Sequence, residues 1–148
     1  LPERFDMEYT AENGNRDRPV VIHRAMLGSL ERFLGVLIEH LSGAFPMWLS
    51  PVQAVIVPIA DRHNEFCFEV GKRISEAGFR VEVNDSNDRM NAKIRQAQLQ
   101  KIPYMLVAGD REVEGQSLSV RTRSGDNLEP MSIDQVIHRF VKQVADRS

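Results

Sequence analysis

Two hydrophobic periods alternate along this chain, and the changes of period mark out its elements. From Met26 to Leu41 the apolar residues Leu30, Phe33, Leu34, Leu37, Ile38 and Leu41 recur at steps of three and four, which predicts a helix. Before it, PVVIH is a short β-prone run, and residues 1 to 18 are polar, with ENGNRDRP predicting a hairpin loop or a mobile lead-in. SGAFP stops the helix, and Pro46 to Pro51 is the expected domain boundary. VQAVIVPIA, residues 52 to 60, is almost continuously apolar, as a strand buried on both faces would be. Residues 64 to 77 predict a helix with Phe66, Val70 and Ile74 inward, stopped by Gly78. FRVEVN alternates, placing Phe79, Val81 and Val83 on one face of a second strand.

The same reading carries through to the C-terminus. A helix from about Asp88 to Gln100 buries Met90, Ile94 and Ala97; residues 103 to 109 form an interior strand and residues 117 to 123 an alternating one. GDREVEG between them reads as a tight turn. Ser132 and Gln135 form a capping box for a last helix, with Met131 and Val136 as its staple and Val136, Ile137, Phe140, Val141 and Val144 as its inner face. Strands interleaved with helices predict an α/β fold built on a mixed sheet, with the N-terminal third outside it.

Composition narrows the class. At 148 residues, 42% hydrophobic and 27% charged, the chain has room for one well-cored domain plus an appendage. A net charge of -2 excludes a uniformly basic nucleic-acid binder but leaves room for a local basic patch. The single cysteine, Cys67, lies between two phenylalanines and reads as a small buried thiol in a reducing compartment. No apolar run approaches a membrane span and no signal peptide opens the chain, so a cytoplasmic protein is expected.

Candidate chemistry is sparse. No phosphate-binding glycine loop, Cys-x-x-Cys or His-Glu-x-x-His is present, and His23, His40, His63 and His138 lie in separate elements. That silence favours binding over catalysis. Residues 89 to 109 carry Arg89, Lys93, Arg95 and Lys101 without one acid. Arg89 and Lys93, four apart on a helix, would share a face: a solvated basic surface, or one that follows a phosphate backbone. Alternation places Arg121 and Arg123 on one side of their strand, opposite Leu118, Val120 and Thr122. Glu112 and Glu114 precede them. A carboxylate beside arginines can be a plain ion pair, or can accept both N–H donors of a guanine edge, the edge that unpaired RNA bases display. At HRAMLGSLERF, Arg32 offers a planar cation for stacking, Gly28 permits close approach, and His23 is either a ligand or a hydrogen-bonded side chain.

RPVVIHRAMLGSLERFLG resembles the third signature motif of class II aminoacyl-tRNA synthetases, in the version found in bacterial threonyl-tRNA synthetases. LPERFDMEY, FPMWLSPVQAVIVPI, KIPYMLVAGDREVE and VRTR extend that resemblance over essentially the whole chain. It implies a C-terminal piece of a longer ligase. Residues 1–46 would end the catalytic domain, 47–51 would be a linker, and 52–148 would form a three-layer α/β/α anticodon-binding domain around a mixed sheet of five strands. The resemblance further implies that Arg32, with Gly28 and Ser29 beside it, serves Mg-ATP, and that His23 is one ligand of a zinc completed by upstream residues. Glu112 would read the central guanine of the threonine anticodon, Arg121 would lie near the third base, and Asn87 would make a polar contact. Lys101 stands where some relatives have an arginine. Arg89 and Lys93 join this set as phosphate contacts on electrostatic grounds.

The implied partners are the threonine-tRNA anticodon stem-loop, with threonine and ATP for the parent enzyme, and neither DNA nor membrane. The parent would be a homodimer; the fragment would be monomeric, inactive alone and free of bound zinc or ATP. The rival expectation is a non-catalytic α/β interaction or dimerisation module.

Overall fold

The computed structural model describes residues 1–148, which divide into two compact units, Leu1–Val36 and Leu37–Ser148. The first contains a short hairpin, β1 (Tyr9–Thr10) and β2 (Arg16–Asp17), paired antiparallel. Its turn uses Gly14 at φ 79°, a left-handed conformation that glycine adopts without a Cβ clash. Arg16–Glu8 and Arg18–Asp6 ion pairs flank the hairpin. PVVIH, expected as a strand, has no strand partner, and Val20 and Ile22 are exposed. β propensity without a neighbouring edge leaves backbone groups unpaired, so no strand forms.

The following helix, α1 (Leu30–His40), starts four residues later than its apolar spacing suggests. Gly28 sits at φ 64°, outside helical space, and the Ser29 hydroxyl caps the helix by accepting from the Arg32 N–H (3.3 Å). No residue of α1 is buried.

The second unit is organised by a five-stranded sheet. Its strands are β3 (Ala54–Pro58), β4 (Val81–Val83), β5 (Tyr104–Ala108), β6 (Ser117–Thr122) and β7 (Met131–Ser132), in the order β4-β3-β5-β6-β7. β3 runs parallel to β4 and β5; β6 and β7 are antiparallel additions. β3 and β5 are buried along their whole lengths, as their continuous apolar sequences require.

Alternate residues of β3 and β5 feed two cores. Ala54, Ile56, Tyr104 and Leu106 pack with α2 (Asn64–Glu76) and α5 (Ile133–Ala145) through Phe66, Val70, Ile74, Val136 and Phe140. Val55, Val57, Met105 and Val107 pack on the other side against Ile94 and Ala97 of α3 (Met90–Leu99). The architecture is therefore three layers, α/β/α, around a mixed sheet.

Local signals explain most boundaries. The predicted capping box is formed: Ser132 Oγ accepts from the Gln135 N–H and Gln135 Oε1 from the Ser132 N–H. α2 stops at Gly78, φ 92°, whose N–H reaches Ser75 O while the Phe79 N–H reaches Ile74 O. α3 stops in the same way with Lys101 at φ 61°. Two expectations fail here. Val141 is 51% exposed, because the inner face of α5 is narrower than its apolar run. GDREVEG is not a tight turn but opens a short helix, α4 (Asp110–Glu114), since Glu112 folds back to accept from the Gly109 N–H at the helix start.

Met47 is buried in the larger core, and buried Gln53 ties this segment in, donating to Met47 O (3.0 Å) and accepting from the Arg80 N–H (2.8 Å).

Candidate nucleic-acid interface

β3 is the pivot of the fold. One crossover leads from β3 through α2 to β4, the other from β4 through α3 back past β3 to β5, with the two helices on opposite faces. The crevice beyond the C-terminal ends of β3 and β5 is therefore a topological switch point, where open α/β sheets bind ligands. Three loops meet at that edge: residues 59–63 after β3, residues 84–89 after β4, and Gly109 with α4 after β5.

Glu112 stands here, half-buried, with both carboxylate oxygens held. Oε2 accepts from the Gly109 N–H at 3.0 Å, and Oε1 accepts from the Ser119 hydroxyl at 2.7 Å. The Ser119 hydrogen bond, helped by that from Gly109 and opposed by partial burial, holds its pKa below the ordinary carboxylate value. Glu112 is thus an acceptor-only group in a set orientation. Each of its oxygens retains lone-pair capacity for a further donor.

The frame around α4 is also tied. Asp110 accepts from Arg62 through Nε (2.8 Å) and Nη2 (2.6 Å), and from His63 Nε2 (2.9 Å). His63 is only 3% exposed, and its Nδ1 accepts from the Ala60 N–H (3.2 Å). With Nδ1 an acceptor, Nε2 carries the proton and donates to Asp110. The hydrogen bonds from Arg62 and then His63 hold the Asp110 carboxyl far below its usual range, while Asp110 raises the Arg62 pKa. This clamp joins the ends of β3 and β5, from residues 47 apart in sequence.

Arg121 belongs to the same face as Ser119. In the β5–β6 ladder Ser119 pairs with Val107 and Arg121 with Met105, both members of the core facing α3. Arg121 lines a cavity of about 190 Å³ with Met90, Ile94, Val107, Ser119 and Asn127. Its Nε is enclosed there with no hydrogen-bond partner. An unpaired buried donor is costly, so Arg121 is held at some expense by its packing in this face. Glu112, Ser119 and Arg121 therefore form one track along the β6 edge of the α3-side face.

Other expected site residues are dispersed. Asn87 is exposed in the loop after β4, flanked by Asp88 and near Asp85. β4 lies two strand positions from β5, about 10 Å away. Lys101 is exposed at the C-terminal end of α3, next to the start of β5 and thus toward the opposite edge of the sheet from Glu112. Arg89 is exposed immediately before α3.

Lys93 does not share that solvent face. It is 5% exposed, and its Nζ donates to Asn84 O (3.0 Å) and Pro58 O (3.5 Å), satisfying carbonyls at the ends of β4 and β3. An ammonium in that position ties strand ends together and is out of reach of a phosphate backbone. Arg123 likewise parts from Arg121: it follows the end of β6, and its Nη1 donates to Phe45 O (2.9 Å) and Lys101 O (3.2 Å).

Gly28, Ser29, Arg32 and His23, in the first unit, are all exposed. Ser29 is engaged as the helix cap and also donates to Glu31 Oε2 (2.7 Å). No three His, Cys, Asp or Glu side chains are grouped in this chain as a metal site needs.

Sequence reasoning missed Ser119, His63 and Asp110. Ser119 was legible in principle, because strand alternation puts it on the side of Arg121. The His63–Asp110 pairing depends on the crossing of β3 and β5 and had no local signal.

Comparison with known proteins identifies the family to which this fold belongs. The anticodon binding domain model matches residues 53–143. Threonine–tRNA ligase of Caldanaerobacter subterraneus subsp. tengcongensis is 47% identical over 148 residues, 100% of this chain and 23% of that protein. The Solidesulfovibrio magneticus threonine–tRNA ligase is 56% identical over 136 residues, 92% and 21% respectively. The chain thus spans less than a quarter of the length of these curated relatives. Among solved structures, the RNA binding domain of threonyl-tRNA synthetase from Cryptosporidium parvum Iowa II superposes with TM-score 0.75 at 36% identity, covering 96% of this chain and 36% of that one. A prolyl-tRNA synthetase of the same organism, at 20% identity and TM-score 0.66, shares the fold. Matched over most of its length by that domain model and by relatives of one kind, the chain belongs to the anticodon-binding domain family, of the threonyl-tRNA synthetase type.

Proposed function

We propose that this chain reads the anticodon loop of a threonine-accepting tRNA, as part of a ligase that activates threonine with ATP. The observation that carries the reading is Glu112: an ionised carboxylate, held at both oxygens, at the switch point of the sheet. Guanine alone among the bases presents two adjacent N–H donors on its Watson–Crick edge, the complement of such a group. Arg121, half-buried and lining the adjoining cavity, has guanidinium donors suited to an acceptor on a neighbouring base. Arg89, Arg95 and Lys101, exposed and without ion pairs, supply the salt-dependent contact with phosphates. Asn87 adds a polar contact from the loop after β4.

In the parent ligase, Arg32 with Gly28 and Ser29 would serve ATP, and His23 would be one of several zinc ligands contributed from a longer chain. The 1–46, 47–51 and 52–148 division, dimerisation of the parent and a cytoplasmic location belong to the same proposal. No helix is long and apolar enough to cross a membrane. The interaction-module reading is not favoured, because it leaves the Glu112–Ser119–Arg121 track unused and the relatives are tRNA ligases.

The test is a titration with a threonine anticodon stem-loop and with the same loop carrying adenine for the central guanine, at two salt concentrations. Preference for guanine, lost in Glu112→Ala, together with affinity falling as salt rises, is expected. Equal affinity for both loops in the unaltered chain would refute the reading.

A further inference from the structure

Within that anticodon-reading function, on which this inference rests, we propose that Ser119 is a positioning residue for guanine discrimination: its hydroxyl sets the orientation in which Glu112 meets the base. Glu112 lies on the short helix α4 and has three rotatable bonds, so without restraint its carboxylate would sample several orientations. Two donors remove that freedom. Gly109 contributes a backbone N–H from the helix start, and Ser119 contributes its hydroxyl from β6. These donors are fixed independently, one by the loop after β5 and the other by the β5–β6 ladder, in which Ser119 pairs with Val107. One oxygen is held by each. The carboxylate plane is thereby defined, and each oxygen keeps capacity for one guanine N–H.

Ser119 also lines the cavity that contains Arg121. It is the residue shared by the carboxylate and the arginine, so it sets the spacing between the two recognition groups. Two residues along one strand place Ser119 and Arg121 about 7 Å apart in their Cα positions. Preorganisation of this kind raises discrimination without adding a contact to the base.

The experiment uses the whole 148-residue chain and three substitutions, Ser119→Ala, Ser119→Thr and Glu112→Ala. Dissociation constants are measured for the guanine and adenine stem-loops, and the Glu112 carboxyl is titrated by carbon-detected NMR. Ser119→Ala is expected to lower the guanine-over-adenine ratio on the order of 5-fold, the scale of one hydrogen bond, with adenine-loop affinity unchanged. The Glu112 carboxyl is expected to titrate at higher pH in that variant, and Ser119→Thr, which keeps the hydroxyl, to restore both quantities.

An unchanged ratio in Ser119→Ala, while Glu112→Ala abolishes the preference, would overturn the role of Ser119 and leave the function standing. An equal loss of affinity for both loops would also overturn it, showing a structural tie only. If the unaltered chain has no guanine preference, the functional reading falls and this inference with it.

Discussion

Gly109→Ala separates the stability of this domain from its recognition chemistry. Gly109 has φ -122° and ψ -168°, extended backbone that alanine adopts freely, so the substitution introduces no backbone strain. A Cβ there would stand 2.7 Å from Ile59 Cδ1 and 3.1 Å from Glu112 Oε2. Ile59 is half exposed, and its terminal methyl can swing aside for about 1 kcal/mol, the cost of an unfavourable rotamer. Reduced freedom of the unfolded chain offsets about 0.4–1 kcal/mol of that. The net change in stability is therefore expected within about 1 kcal/mol of zero. The carboxylate fares worse. It must retreat by a few tenths of an ångström, which lengthens the bond from the Gly109 N–H and turns the plane that faces a guanine. A good bidentate base contact is worth about 1–3 kcal/mol of discrimination. Loss of about 1 kcal/mol would cut the guanine-over-adenine ratio roughly 5-fold. Urea unfolding and paired stem-loop titrations measure the two effects on the same samples. An unfolding free energy lower by more than about 2 kcal/mol would show that the site cannot relax as argued. An intact guanine preference would refute the link between Gly109 and the carboxylate.

Further outcomes concern titration, reactivity and helix ends. The Glu112 carboxyl is held below its ordinary value of 4.5 in the folded state, so its contribution to stability is complete above that value and lost as pH falls through the folded pKa. Urea midpoints measured from pH 6 to pH 3 should therefore fall less steeply for Glu112→Gln than for the unaltered chain (about the range in which carboxylates titrate). Burial pushes the Cys67 thiol up to about 11, so native protein should resist a thiol reagent at pH 8, a slightly alkaline condition in which free cysteine is partly ionised, and should react fully in denaturant. Lys101→Gly should raise the unfolding free energy by about 0.5–1 kcal/mol, because φ 61° is costly for lysine and free for glycine; Gly78→Ala, at φ 92°, should lower it by about 1 kcal/mol or more. Chemical denaturation reads both.

Much of the fold was legible because it depends on local periodicity. The apolar run of β3, the helical spacing of α2 and α3, Gly78 as a stop and the Ser132–Gln135 capping box are short-range features, and the structure contains each of them. The mixed sheet followed from the order of strands and helices, and the three-layer domain was implied by the family resemblance. Glu112 and Arg121 were legible as candidates through their residue types and through family resemblance.

Failures arose where a side chain's environment is set by distant segments. Lys93 has the spacing of an exposed basic face, yet the ends of β3 and β4 close over it and offer two carbonyls. Arg123 alternates with Arg121 in sequence, but β6 ends between them, and Arg123 turns to the carbonyls of Phe45 and Lys101. PVVIH has strand composition and no edge to pair with. The sequence by itself determined most of the elements of the larger unit, most of their inward faces and the charges available, since those follow from backbone propensity and the period of apolar residues. Only the tertiary structure decided which charges are buried, which carboxylate is held at both oxygens, and that His63 meets Asp110. Those depend on donors and acceptors brought together by strand crossing, and no local rule encodes such distances.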